Sequence, residues 1–180
     1  MLKKGAKPWH IVIGLGNPGP EYRNTYHNVG ITALRAIATE LQKEQGTAPD
    51  WHNTKLFRYA KCGTFILAEP TTFMNDSGKA AAAILRRFRE TPDRILVLHD
   101  DSDIVTGSFK LAAGRGAAGH RGVQSILDAL KTKNFWRGRI GVRSRRGKAG
   151  GFVLRAMSAG DKELIYCAIG ELTKKVIAND

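Results

Sequence analysis

Apolar and polar positions along this chain switch repeatedly between two periods. Residues 10–16 form a short unbroken apolar run, the pattern of a strand covered on both faces. Residues 28–41 change to a helical period, with Leu34, Ile37 and Leu41 on one side and Asn28 placed to cap the start. Residues 56–60 and 64–68 predict paired strands around a Cys62-Gly63 turn. The alanine-rich residues 78–89 predict a helix, 94–98 (RILVL) a second buried strand, and 108–111 a shorter one. In 123–130, Val123, Ile126, Leu127 and Leu130 fall at helical spacing; 137–142 returns to strand, and 162–177 closes as a helix. No repeat, low-complexity tract or Pro/Ser-rich linker interrupts this alternation. The pattern therefore predicts one α/β domain over residues 1–180, a central sheet with helices on both faces.

Charge changes the picture most. The chain of 180 residues carries a formal net charge of +13. The excess is concentrated between Ile104 and Arg155, where bases run from Lys110 to Arg155 and Asp128 is the only acid. Such a face is the footprint of a phosphate-rich partner. No apolar stretch reaches the roughly 20 residues that a bilayer span needs. Residues 1–9 form a short basic leader without the apolar core of a secretory signal, so a cytoplasmic location is expected. Cys62 and Cys167 have no Cys-x-x-Cys partner, which fits a reducing compartment. Two glycine-rich basic loops, 112–122 and 143–151, are long enough to be functional, and the second is expected to be flexible.

The candidate chemistry begins where the first strand ends. Gly14-Leu15-Gly16-Asn17-Pro18-Gly19 fits the letters of the dinucleotide fingerprint. That fingerprint needs a helix starting inside the turn, and Pro18 and Pro20 stand where the helix would run. No acid follows at the end of a next strand to hold a ribose, since Glu40 sits in the predicted helix. His27 lies just before a helix start, whose positive end would favour a neutral imidazole able to take a proton from water. His99-Asp100-Asp101-Ser102-Asp103 follows the RILVL strand, where α/β enzymes place polar groups, and one of its carboxylates could orient His27. The same segment with His120 could instead bind a metal, and residue types leave both readings open. Asn75 could donate an amide to a carbonyl or a water above an apolar floor of Phe73 and Met74; alternatively Asn75 or Ser77 caps the next helix. No Gly-x-Ser-x-Gly elbow or activated cysteine is present, so a hydrolase built on these residues would activate water directly.

Taken in order, GLGNPGPEY, YHNVG, PTTFMNDSGKA, LVLHDDSD, GAAGHRG and FWRGRIGV resemble the bacterial-type peptidyl-tRNA hydrolase family, over most of the chain from Ile11 to Leu154. The resemblance implies a monomeric α/β enzyme with a mixed central sheet. It would cleave the ester between a peptide and the 3′ end of tRNA, with no cofactor and no metal. Carried over by motif, His27 is the general base and Asp100 its orienting partner. Asn17 and Asn75 position substrate and water; Tyr22, Phe73 and Met74 line the cleft, and His120 sits on its rim. Lys110, Arg137 and Arg139 meet tRNA phosphate. Arg121 stands where the family commonly has an asparagine that holds substrate; an arginine cannot accept a hydrogen bond as the amide does, and its fixed charge could meet a phosphate. The C-terminus is shorter than the family leads one to expect. A non-catalytic RNA-binding relative is the alternative, and the presence together of His27, Asp100, Asn17 and Asn75 argues against it.

Overall fold

The computed structural model describes residues 9–143 and 152–178. Most of the basic leader and the loop expected to be flexible, 144–151, lie outside the described residues. Strand β1 (Ile11–Gly14) is buried throughout and lies in the middle of a seven-stranded sheet. The others are β2 (His52–Asn53), β3 (Phe57–Cys62), β4 (Phe65–Pro70), β5 (Ile95–Val105), β6 (Phe109–Ala113) and β7 (Trp136–Arg143), in the spatial order β2-β3-β4-β1-β5-β7-β6. β4, β1, β5 and β7 run parallel, while β2–β3, β3–β4 and β7–β6 pair antiparallel. The sheet is mixed, and the α/β class with helices on both faces holds.

Four helices cover it: α1 (Val29–Gln45), α2 (Ser77–Phe88), α3 (Arg121–Leu130) and α4 (Ala159–Ile177). One core joins α1 and α4 to Leu96, Leu98, Ile140 and Val142; the other joins α2 and α3 to Ile95, Val97 and Ile13. Alternation along β5 separates the two sets, as the two-residue period of a strand requires. Continuing that register puts Asp100 on the α1 side of the sheet and His99 and Asp101 on the α3 side.

Glycine fixes how closely α1 meets the strand ends. A Cβ at Gly30 would stand 2.6 Å from the Leu15 carbonyl oxygen and against that of Leu98. The first turn of α1 can therefore rest directly on the ends of β1 and β5, which brings the preceding 3-10 turn, Tyr26–Asn28, over Asp100.

Several expectations are corrected. β5 does not stop after RILVL but continues through His99–Asp103 to Val105, paired with β7 and with a register shift after Asp101. Its polar half does not read as strand because only β7 covers that edge. Trp9 is no part of a leader: it is buried, edge-to-face with Trp136 at 5.5 Å between ring centroids. Arg143 closes β7 instead of opening a loop. Asn28 is at the N-cap of α1, but its side chain makes no capping bond.

Candidate active site

The side chain of Asn28 has another use. Its Oδ1 accepts from the Asn17 backbone N at 2.8 Å, and its Nδ2 donates to the Asn17 carbonyl at 2.9 Å. The turn after β1 is thus fastened to the residue following His27. Asn17 Oδ1 accepts from the Met74 backbone N at 2.8 Å, which assigns the amide and leaves Nδ2 as the free donor. The backbone of His27 is held from a third direction, its N donating to the Val153 carbonyl at 2.8 Å.

His27 and His120 converge on Asp100. His27 Nδ1 and His120 Nε2 each lie 2.8 Å from the same oxygen, Oδ1. All three residues are buried. His120 caps α3, its Nδ1 accepting from the Val123 N at 3.2 Å. The neutral ring then carries its proton on Nε2 and donates it to Asp100. His120 is therefore a second donor to the carboxylate as well as a wall of the cleft. Burial opposes ionisation of Asp100, but His120 and then His27, through their hydrogen bonds and through their charge when protonated, outweigh it and hold the carboxyl far below the usual carboxylate range. An ionised Asp100 can only accept, so His27 donates from Nδ1, and its Nε2 is left bare.

Behind this pair lies His99, whose Nδ1 donates to the Asp100 carbonyl at 2.6 Å and whose ring packs edge-on against His120 at 4.7 Å. Burial, reinforced by His120, keeps His99 neutral well below the ordinary histidine range. The metal alternative through His99, the aspartates and His120 does not assemble. Asp101 is taken by Arg139 Nε at 2.6 Å, and Asp103 is exposed. Among the described residues, the donors that gather are those of His27, Asp100 and His120, within 4.8 Å of one another. A metal on His120 Nε2 would push that ring's proton to Nδ1, against the Val123 N–H.

A cleft of about 480 Å³ opens over His27 and Asp100, with Ser102, His120, Arg121, Val153 and Leu154 on its walls. Arg121 is exposed in the first turn of α3. Tyr22 and Phe73 pair edge-to-face at 6.4 Å, and Phe73 is exposed. Met74 is buried instead, its sulfur against Gly122, so it supports the start of α3 rather than an open wall. Asn75 is exposed on the 3-10 turn Met74–Asp76, with its amide unpaired among the described residues. Neither Asn75 nor Ser77 caps α2: Asp76 holds that position, and Ser77 Oγ donates to the Met74 carbonyl.

Of the three bases expected to meet phosphate, Lys110 is exposed and stands directly across from Arg139 on the neighbouring strand. Arg139 is half-buried in its pair with Asp101. Arg137 is corrected: at 1% exposure it cannot reach a phosphate at the surface, and neither terminal nitrogen has a partner among the described residues.

Two features escaped sequence reasoning. Val153 and Leu154 wall the cleft although they follow the basic loop. Tyr26 Oη donates to Asp161 Oδ2 at 2.6 Å and accepts from the Ser158 N at 3.3 Å, bracing the His27 turn against the start of α4. The partners lie 135 residues apart, and no local pattern announces them.

Comparison with known proteins places the chain in a family. The family model described as peptidyl-tRNA hydrolase matches residues 11–178. A peptidyl-tRNA hydrolase of Coxiella burnetii (strain CbuG_Q212) is 36% identical over 161 residues, 88% of this chain and 84% of the relative. One from Leptothrix cholodnii is 38% identical, over 88% of this chain and 76% of that protein. Among solved structures, the peptidyl-tRNA hydrolase of Acinetobacter baumannii superposes with a TM-score of 0.84 at 28% identity, covering 94% of this chain and 87% of that one. The chain belongs to the peptidyl-tRNA hydrolase family.

Proposed function

We propose that this protein hydrolyses the ester joining a peptide to the 3′ end of tRNA, and so returns tRNA from stalled translation. The observation that carries the reading is the 2.8 Å bond between His27 Nδ1 and Asp100 Oδ1, from which a bare Nε2 is inferred. His27 Nε2 takes a proton from water as the water oxygen attacks the ester carbonyl. Asp100 stabilises the imidazolium that forms, without itself taking the proton. The free Nδ2 of Asn17 and the amide of Asn75 hold the carbonyl and the water in line. When the tetrahedral adduct collapses, the C–O bond to the ribose breaks and His27 returns its proton to the leaving 3′ oxygen. The products are a peptide with a free carboxylate and deacylated tRNA. No step calls on a metal or cofactor.

Tyr22 and Phe73 offer apolar walls to the substrate, with Met74 beneath. Lys110, Arg139 and Arg121 face the phosphates of the acceptor end. The enzyme acts as a monomeric single domain in the cytoplasm. No helix among the described residues is long and apolar enough to cross a membrane. The test is release of deacylated tRNA from N-acetyl-aminoacyl-tRNA in the presence of chelator. Turnover that His27→Ala reduces by about 10²-fold or more is expected. Full activity in His27→Ala, or abolition by chelator, overturns the reading.

A further inference from the structure

A second cleft, of about 270 Å³, opens beside the Asn17–Asn28 pair, with Arg23, Thr32, Arg35 and Glu69 on its walls. Its charges are arranged as donors. Glu69 is buried and has both oxygens occupied: Arg35 Nη2 reaches Oε1 at 3.0 Å and Arg58 Nη2 reaches Oε2 at 2.7 Å. Those bonds fix the Arg35 guanidinium while leaving its other N–H groups to the cleft. Arg23 is exposed and has no side-chain partner among the described residues. Glu21 rests against Gly19 but does not line the cleft. Its lining residues therefore present guanidinium N–H groups and no unpaired carboxylate, which suits a planar anion.

Position decides between the two anions a peptidyl-tRNA carries. Asp100 belongs to β5, and the turn bearing His27 follows β1. Lys110 and Arg139, which face tRNA in the proposed reading, lie beyond them on β6 and β7. The second cleft lies on the opposite side, where Glu69 rises from β4. With tRNA on the β6–β7 side and the ester over His27, the peptide leaves toward β4. We propose that this cleft is a subsite for an acidic side chain of the peptide, within the first few residues of the ester. The inference rests on the peptidyl-tRNA hydrolase reading.

The test uses the full chain and pairs of N-acetylated short peptidyl-tRNAs, identical except for Glu or Gln at one of the three residues preceding the esterified one. The wild type is expected to favour Glu at one position by about tenfold in kcat/KM, the worth of a charge-assisted contact. Arg23→Gln and Arg35→Gln should each bring the ratio toward one, with Arg58 still holding Glu69 in the latter. Arg23→Glu should favour Lys over Gln at the same position. Equal turnover of Glu and Gln substrates at all three positions overturns the inference. So do variants that slow both substrates alike and flatten the salt dependence, which would assign the cleft to phosphate. Absence of hydrolysis with every substrate overturns the hydrolase reading itself, and this inference with it.

Discussion

His27 and His120 bind one oxygen of Asp100 through different ring nitrogens, Nδ1 and Nε2, each at 2.8 Å. The difference assigns their roles. His27 keeps Nε2 for substrate, whereas His120 has both nitrogens engaged and serves to fix the carboxylate. Replacing His120 by alanine should lower kcat by about 10–100-fold, the usual loss when an outer partner of a working group is removed. KM should change little. Single-turnover rates would check this, and a loss equal to that of His27→Ala would make His120 a second base.

Acid should destabilise the protein in two separate windows. His99 is held neutral in the fold, by burial first and His120 next, so its folded pKa lies below its unfolded value. Its contribution is complete above about pH 6.5 and is lost as pH falls, because only the unfolded chain takes up that proton. Asp100 behaves as a depressed carboxyl: its contribution is complete above about pH 4 and declines below that. Denaturant midpoints measured from pH 7 to 5 should fall, and His99→Gln should flatten that slope. An unchanged slope would refute the assignment.

Gly30 lets α1 sit on the strand ends, and a methyl group there has no room. Gly30→Ala should cost about 1–3 kcal/mol in chemical denaturation and reduce turnover, as the His27 turn is lifted from Asp100. Gly160→Ala, where a Cβ meets nothing within 4 Å, is the matched control and should be nearly silent.

Tyr26 acts through its neighbour. Tyr26→Phe removes the bond to Asp161 and should lower stability by about 1 kcal/mol. Because the same turn carries His27, kcat should fall with KM unchanged. A shift in KM alone would place Tyr26 against substrate instead.

Exposure separates Arg137 from Arg139 on β7. Lys110→Gln and Arg139→Gln should each reduce the slope of log affinity for tRNA against log salt by about one. Arg137→Gln should leave that slope unchanged and show itself only in stability, since Arg137 is buried.

The periodic parts of the chain were legible because periodicity reflects burial. The β1 run, the Cys62-Gly63 hairpin and the faces of α1 and α3 follow from residue spacing alone. The second half of β5 was not, because His99–Asp103 is polar and its strand geometry depends on β7, far along the chain. Asn28 looked like a cap, and only the approach of the β1 turn gives its amide a different partner. His27 and Asp100 could be paired as candidates from their motifs, but the sharing of Asp100 with His120 is a tertiary fact. Arg137 misled because charge is visible in a sequence and burial is not. The Arg23–Arg35 cleft combines a loop, a helix and a strand that share no motif.

The most direct test of the central claim is ¹⁵N NMR of the histidine side chains at neutral pH. The account predicts opposite neutral tautomers: His27 protonated at Nδ1 with Nε2 bare, and His120 protonated at Nε2 with Nδ1 bare. A proton on Nε2 of neutral His27 would leave no base facing the ester and would contradict the mechanism.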